Sequence, residues 1–290
     1  MPSIRSPRRL WLAELVMALG VALGVAATLF HRSQMQHLRE VVNRDLATIG
    51  ALTAQRIVIW RAERIADAGV LTDSVLLSDA VARWRAAPDE VVTQSLLTHL
   101  QGLQRRYGYQ DVVLRDPDGR VELNLTGADC PDQGADRDTL ALALRVRQPV
   151  LTDLHSSPEC PFPHLRVIAP LFADAGWDAQ PLGAIELRID ARESLYPLLS
   201  GWPMPSVSAE SLLVRRDGDD VLALSPFRHQ TGAALVRRVP LTRTELPAVR
   251  AVRGATGTFV GLDYRGVAVV AAVQPVPEST WFLISKMDSA

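Results

Sequence analysis

Three polar residues near the middle of the chain are spaced so that they can form a small-molecule site. Asp153 and His155 lie in a predicted strand, Val150–His155, and they share one face because side chains alternate along a strand. Arg166 lies in the next predicted strand, on the face opposite its apolar neighbours. An arginine beside a carboxylate and an imidazole can hold an anionic or zwitterionic ligand through charge-assisted hydrogen bonds. The alternative is that Arg166 covers a sheet edge and Asp153 caps a turn, since charged residues usually have no specific role.

Other chemistry is poorly supported by the sequence. His155, Glu159, Cys160 and His164 lie close enough to converge on a metal, but their spacing matches no familiar zinc pattern. There is no phosphate-binding glycine loop, metalloprotease helix or nucleophile elbow. We therefore predict no catalytic residue, no metal site and no cofactor, and these residues are not expected to form an enzyme.

Composition indicates a folded protein that does not bind nucleic acid. The chain is 48% hydrophobic and 22% charged, and its net charge is −1, so no basic field attracts phosphates. Two cysteines, Cys130 and Cys160, lie in predicted neighbouring loops, where an oxidising compartment favours a disulfide. A bridge and two free thiols both remain open, because loop geometry decides between them.

A membrane anchor is predicted near the N-terminus. Leu10–Phe30 is one apolar run with Glu14 as its only charge, long enough for the ~30 Å hydrocarbon core. Arginines in residues 1–9 favour a cytoplasmic N-terminus, which places everything after about residue 30 in the periplasm of a bacterial inner membrane. A cleaved signal peptide is the main alternative, although its apolar region is usually shorter and ends in a small-x-small site.

Residues 31–108 are predicted to be helical. Apolar residues recur at threes and fours from His31 to about Ala68, and two shorter helices, Val75–Ala86 and Glu90–Tyr107, follow. Gly20 and Gly24 form a G-x-x-x-G within the apolar run, which lets two helices approach closely and favours a parallel homodimer. Small residues are also simply common in such helices.

The remainder of the chain repeats one design. A hairpin, a short helix and three strands occur in residues 109–193 and again in residues 211–290, with a proline-rich linker at 194–210. We call these the first and second unit; with residues 10–30 in the membrane, they are the membrane-distal and membrane-proximal units. The predicted fold class is α+β, each unit having a five-stranded antiparallel sheet. The small apolar residues of Val267–Val273 suit packing, so the ligand is expected in the first unit.

The repeated unit after a long helix resembles the PAS-like extracellular fold, and two in tandem resemble the double Cache sensor domain. This resemblance covers nearly all of Met35–Asp288 and is strongest in Leu195–Leu224 and Asp263–Asp288. Those stretches are similar to a version found in bacterial sensor histidine kinases and diguanylate cyclases. The resemblance implies that a second membrane helix and an output domain follow Ala290, so the chain is expected to be a fragment of a larger receptor.

One departure from the family concerns the ligand. Amino-acid-sensing double Cache domains carry an Arg-x-Trp-Tyr element, followed by a Tyr and an Asp. This chain has none, because Trp60-Arg61 and Trp84-Arg85 run in the opposite order on earlier helices. The resemblance therefore does not imply an amino-acid ligand.

The predicted function is ligand sensing outside the cytoplasm, with the signal relayed across the membrane to a kinase or cyclase domain. The ligand is expected to be a small molecule, anionic or zwitterionic, bound at Asp153, His155 and Arg166. The alternative is a membrane-anchored periplasmic scaffold that uses the same fold only to bind a partner protein.

Overall fold

The chain begins with a single long helix. The computed structural model describes residues 7–127, 134–158, 160, 162–174, 176, 178–202 and 206–289; the side chains of 7–16, 18 and 134–136 lie outside this description. Helix α1 runs from Pro7 to Thr72, and no proline interrupts residues 8–72. It continues through Gly69, beyond the predicted end at about Ala68, and joins the predicted apolar span to the helix predicted from His31.

The apolar span itself is only partly described. Residues 10–16 and 18 of Leu10–Phe30 belong to α1, but their side chains lie outside the description. Within the described part of the chain, no helix is both long and apolar enough to cross a membrane.

Two capped helices follow with the predicted bounds. Helix α2 spans Val75–Ala86, and the Ser74 hydroxyl accepts a hydrogen bond from the Leu77 N–H at its start. Helix α3 spans Glu90–Tyr107, where the Asp89 carboxylate accepts the Val92 N–H at 2.7 Å. Gly108 ends α3 in the left-handed conformation (φ 69°), which glycine adopts without steric cost.

The first unit is a five-stranded antiparallel sheet, as predicted. Its order is β2-β1-β5-β4-β3, and helix α4 covers one face. The elements are β1 (Asp111–Arg115), β2 (Val121–Asn124), α4 (Gly134–Val146), β3 (Val150–Leu151), β4 (His164–Phe172) and β5 (Pro181–Asp190). Gly183 lies where a side chain would collide with the Arg115 carbonyl oxygen, so only glycine permits the close pairing of β1 and β5.

The second unit has six strands instead of the five predicted. Its order is β8-β7-β6-β11-β10-β9. The elements are α5 (Ala191–Ser194) and α6 (Tyr196–Ser200) in the linker, then β6 (Glu210–Asp217), β7 (Asp220–Ala223), β8 (Arg238–Pro240), α7 (Pro247–Val252), β9 (Gly257–Leu262), β10 (Ala268–Pro275) and β11 (Trp281–Asp288). The additional strand, β8, pairs with β7 at the sheet edge. It was missed because three residues show no alternation and the last is a proline, which is tolerated on an edge.

One hydrophobic core joins α1 to both sheets. Ile57 and Trp60 of α1 pack with Leu165 and Val167 of the first sheet, and the same cluster extends to Leu283 of the second. On the other face of the second sheet a separate cluster lies beneath α7. Burial against two sheets therefore fixes the C-terminal half of α1, as tertiary packing usually stabilises helices.

Candidate functional site

The charged residues of the first sheet gather on the face that looks away from α1. Side chains alternate along β1, β4 and β5, so Leu165, Val167 and Leu187 enter the core shared with α1 while their neighbours point to the α4 side. Six ionisable residues of those strands are each at most 3% exposed: Asp111, Arg115, His164, Arg166, Glu186 and Arg188. We call these six residues the buried charge cluster.

Glu186 lies at the centre of the buried charge cluster. Arg115 donates from Nε to Glu186 Oε2 at 2.6 Å, and Arg188 donates from Nη2 to Oε1 at 3.0 Å. The Nε atom of Arg166 lies 3.5 Å from Oε1. Arg188 also donates from Nη1 to Asp111 Oδ2 at 3.2 Å, so two carboxylates and three guanidinium groups form one network.

The arginines determine the charge state of Glu186. Burial by itself raises the pKa of a carboxyl group, but Arg166, Arg115 and Arg188 outweigh it and hold the pKa of Glu186 below its ordinary value. Burial raises the pKa of Asp111, and hydrogen bonding to Thr126 and the charge of Arg188 offset this effect only in part. Such a network is expensive to desolvate, and residues of this kind concentrate at functional sites.

His164 is a neutral imidazole within the cluster. Burial, with the nearby charges of Arg166 and Arg188, lowers the pKa of His164 to about 4. Its Nδ1 lies 2.9 Å from the Phe162 carbonyl oxygen, which only accepts, so the ring proton is on Nδ1. The Nε2 atom of His164 therefore presents a lone pair.

Arg188 and His164 each present one buried polar atom that has no hydrogen-bond partner among the described residues. These atoms are the Nε–H of Arg188, a charged donor, and the Nε2 of His164, an acceptor. A buried polar group left unpaired costs about 1–3 kcal/mol.

The three residues predicted from sequence do not converge. Arg166 belongs to the buried charge cluster, and its N–H donates to Thr152 Oγ1 at 2.9 Å. Asp153 turns toward the second unit: Trp281 Nε1 donates to its Oδ1 at 2.7 Å, and Arg215 pairs with its Oδ2. Asp153 is thus separated from Arg166 and holds the two units together.

The His155 ring contacts His164 of the cluster at a tilted angle, and His155 does not join Asp153 on one strand face. The predicted strand Val150–His155 is wrong beyond Leu151; β3 ends there because Asp153 leaves the ladder to bond the second unit. The chain pairs again at a single bridge, where His155 and His164 exchange backbone hydrogen bonds. Their rings lie 4.2 Å apart between centroids. The ligand-binding roles of these residues stay a prediction.

Asp111, Glu186 and Arg188 were missed, although the sequence contains a signal. Glu186, Arg188 and Asp190 alternate with Leu187 and Ile189 along an otherwise apolar strand. Charges at every second position of a buried strand mark one polar, enclosed face. Pairing of Asp111 with Arg188 across the strands depends on register, which the sequence does not show.

The other predicted positions are placed as follows. Cys160 is fully buried and is not a free thiol, whereas Cys130 lies outside the described residues; their pairing stays a prediction. Gly20 and Gly24 are exposed on α1, and a Cβ at either position would have no other described element within 4 Å. In the described part of the chain, no three potential metal ligands converge.

The fold has counterparts among solved structures. No family model matches the chain, and no curated protein matches it either. The ligand-binding domain of the Campylobacter jejuni chemoreceptor Tlp3, with L-norvaline, is similar at a TM-score of 0.61 and 10% identity, over 87% of this chain and 93% of that one. The chain has the double Cache fold.

Two Pseudomonas structures share this double Cache fold. The ligand-binding domain of Pseudomonas fluorescens CtaA, with L-serine, has a TM-score of 0.56 and 17% identity, over 86% of this chain and 98% of that one. The ligand-binding domain of Pseudomonas aeruginosa PAO1 PctB, with L-Arg, has a TM-score of 0.54 and 19% identity, over 86% and 96%. At these identities the likeness establishes the fold of this double Cache domain, and its own residues must indicate what it binds.

Proposed function

We propose that this double Cache domain is the ligand-sensing region, outside the cytoplasm, of a membrane-bound bacterial signal-transduction receptor. Support comes from the fold, which it shares with ligand-binding domains of chemoreceptors crystallised with L-serine, L-Arg and GABA. An output domain of the histidine kinase or diguanylate cyclase type is part of the proposal and rests on the resemblance of Leu195–Leu224 and Asp263–Asp288.

The ligand is proposed to bind at the buried charge cluster of the first unit. The observation that carries this assignment is the pair of unsatisfied atoms, Arg188 Nε and His164 Nε2. A carboxylate accepts from the Arg188 N–H, and an ammonium or amine N–H donates to the lone pair of His164. A small zwitterion meets both requirements. The absent Arg-x-Trp-Tyr element means that contacts differ from those of amino-acid sensors that carry it.

Calorimetric titration of the full chain in detergent tests this assignment. L-serine, L-arginine and GABA are the probes, because structures of the same fold contain them. For a probe that binds, His164→Gln and Arg188→Lys should each weaken the affinity at least tenfold, about 1.4 kcal/mol. His99→Gln, a histidine change on the exposed side of α3, is the matched control and should leave the affinity unchanged.

A second measurement covers the case in which a buried variant does not fold. In the wild-type chain, the ¹⁵N chemical shift of His164 Nε2 should move when the probe is added, since its lone pair gains a donor. Affinity that survives both cluster variants, or an unmoved His164 signal in the presence of bound probe, contradicts the site. Failure of every probe to bind favours the periplasmic scaffold.

The N-terminal part of α1 is proposed to be an uncleaved membrane anchor. Large apolar side chains there are exposed all around the helix, with 52–68% of each accessible: Met17, Leu19, Val21, Leu23, Val25, Leu29 and Phe30. An apolar surface of this extent is not stable in water and suits lipid. Reporter fusions after Ala51 should be active only for reporters that work outside the cytoplasm. A mature N-terminus near residue 30 would refute the anchor.

A further inference from the structure

A cleft opens in the second unit, well away from the buried charge cluster. It is lined by residues of α6, by Trp202 and residues 206–207, by residues 209–211 at the start of β6, and by residues 226–228. Its volume is about 920 Å³, within the ~300–1,000 Å³ typical of small-molecule sites. We call it the linker cleft.

The cation of the linker cleft is Arg228. Its backbone N–H donates to Glu210 Oε2 at 2.8 Å, and its Nη1 donates to the Ala209 carbonyl oxygen, so both ends of the residue are held. Among the described residues that carbonyl is the one acceptor on its guanidinium, and no carboxylate pairs with it. A guanidinium has five N–H donors, so most of the N–H groups of Arg228 are available to an anion that enters the cleft.

The walls of the linker cleft are mostly aromatic and aliphatic. Phe227 stacks on Tyr264 at 4.3 Å between ring centroids, which fixes its ring beside Arg228. Tyr196 is anchored by its hydroxyl, which donates to the Leu224 carbonyl oxygen at 2.8 Å. The indole N–H of Trp202 has no acceptor in the described part of the chain, so a rotation of this ring toward a ligand breaks no bond. These walls suit an apolar or aromatic body.

A charged network behind the wall of the linker cleft, of which Glu210 lines the cleft, affects the charge that a ligand can carry. Glu210 pairs with the buried Lys286 at 2.6 Å, Lys286 pairs with Asp263 at 2.7 Å, and Arg265 bridges Asp263 to Asp288. Three carboxylates against Lys286 and Arg265 leave one negative charge, which Arg228 balances. A bound monoanion therefore leaves the site with one net negative charge and a bound dianion leaves it with two, which makes a dianion the less favourable ligand.

We infer that the linker cleft is a second small-molecule site, which takes a small organic acid with one carboxylate and an apolar or aromatic body. The carboxylate lies against the Arg228 guanidinium, and the body lies between Phe227, Tyr196 and Trp202. The site is separate from the zwitterion site proposed in the first unit, and each can exist without the other.

Titration of the full chain with simple acids tests the linker cleft. Benzoate, phenylacetate and hexanoate are the probes. Benzamide is the uncharged analogue of benzoate, and acetate is a carboxylate without a large apolar or aromatic group. At least one of the three acids should bind, and its affinity should exceed that of benzamide and acetate at least tenfold. Arg228→Gln should lower that affinity at least tenfold, and Ser200→Trp, which fills the cleft from an exposed position, should do the same.

Two control variants distinguish binding in the linker cleft from binding elsewhere on the chain. Arg253 is exposed and, like Arg228, donates to one backbone carbonyl, that of Leu241 at 3.0 Å, so Arg253→Gln should leave acid binding unchanged. His164→Gln, in the first unit, should also leave it unchanged. Loss of acid binding in His164→Gln with retention in Arg228→Gln places the acid in the first unit and overturns the inference. It is equally overturned if none of the three acids binds more tightly than about 10 mM.

Discussion

At the scale of single residues, the first unit keeps ionic groups where a sheet of this size would normally bury apolar ones. Glu186, Arg166 and Arg188 are each at most 2% exposed. Replacing such a network by well-packed apolar residues is often neutral or stabilising, so stability alone gives little reason to retain it. Binding of a charged ligand gives a reason, because desolvated partners recognise charge more strongly than groups in water do.

The neutral state of His164 gives a prediction on pH. The unfolded imidazole takes up a proton near its ordinary pKa of about 6.5, whereas folding lowers the pKa of His164 to about 4. Acid therefore favours the unfolded state between these two values, and the free energy of unfolding should fall as pH drops below 6.5. The slope from this one group is at most about 1.4 kcal/mol per pH unit.

Urea denaturation of the wild type and His164→Gln at pH 7, 6 and 5 isolates this effect. This range lies above the ordinary pKa values of carboxyl groups, and remaining titrations are common to both proteins. The wild type should lose stability relative to His164→Gln as pH falls. Parallel curves for the two proteins would show that folding does not depress the pKa of His164.

At the scale of elements, α1 has two different sides beyond the apolar span. Leu46 and Ile57 are at most 1% exposed, and Ile57 belongs to the core that α1 shares with both sheets. Leu38, Leu52 and Ile59 are 48–58% exposed and lie at heptad spacing, fourteen and seven residues apart. Asp45 occupies the intervening position, so three of the four heptad positions are apolar. A stripe at this spacing suits a second helix of the same kind, and we propose that α1 pairs with its copy in a parallel homodimer.

Single cysteines placed on α1 test the homodimer. Leu38→Cys, Leu52→Cys and Ile59→Cys should give disulfide-linked dimers on mild oxidation in membranes, because heptad positions of parallel helices meet their own copies. Leu46→Cys and Ile57→Cys, which face the chain's own sheets, are the matched controls and should give none. Non-reducing gels measure the yield, with the wild type as the background for Cys130 and Cys160. Equal yields at stripe and control positions would rule out this interface.

At the scale of the whole molecule, one junction joins α1 and both units. Asp153 of the first unit accepts from Trp281 of the second, and Arg61 of α1 lies over the Trp281 ring at 4.9 Å. Arg61 also donates to the Glu278 carbonyl oxygen at 3.1 Å. A change of angle between the units must break these contacts, so the junction couples the first unit to the strand that ends the chain.

Asp153→Ala should lower the free energy of unfolding by about 1–3 kcal/mol, since the buried indole N–H of Trp281 loses its acceptor. Asp153→Asn keeps an amide oxygen for Trp281 and loses only the charge, so its effect should be smaller. Chemical denaturation of the full chain measures both variants.

Asp217→Ala is the matched control for this junction. Its ion pair with Arg238 lies on the surface of the second sheet, with side chains 36% and 50% exposed. Such pairs contribute at most about 1 kcal/mol. An Asp153→Ala variant no less stable than Asp217→Ala would mean that the Asp153 contacts do not hold the units together.

The sequence determined the elements and their repetition. Local signals sufficed for this: the caps Ser74 and Asp89 set the starts of α2 and α3, and Asp217-Gly218 set the hairpin of β6 and β7. Alternation along β4 likewise indicated that Leu165 and Val167 lie on the face opposite Arg166. These properties depend on residues a few positions apart, which is why they could be read without coordinates.

Only the tertiary structure decided which polar residues meet. Asp153 and Arg166 were predicted to share one ligand site because their predicted strands are adjacent. Asp153 instead accepts a hydrogen bond from Trp281, a residue 128 positions away in the chain. Arg188 meets Asp111 because β5 lies between β1 and β4, an order that the succession of strands does not reveal. The short edge strand β8 also required its partner β7. Contacts across sheets and between units depend on register and packing, to which residues distant in sequence contribute, and so the candidate site emerged only from the fold.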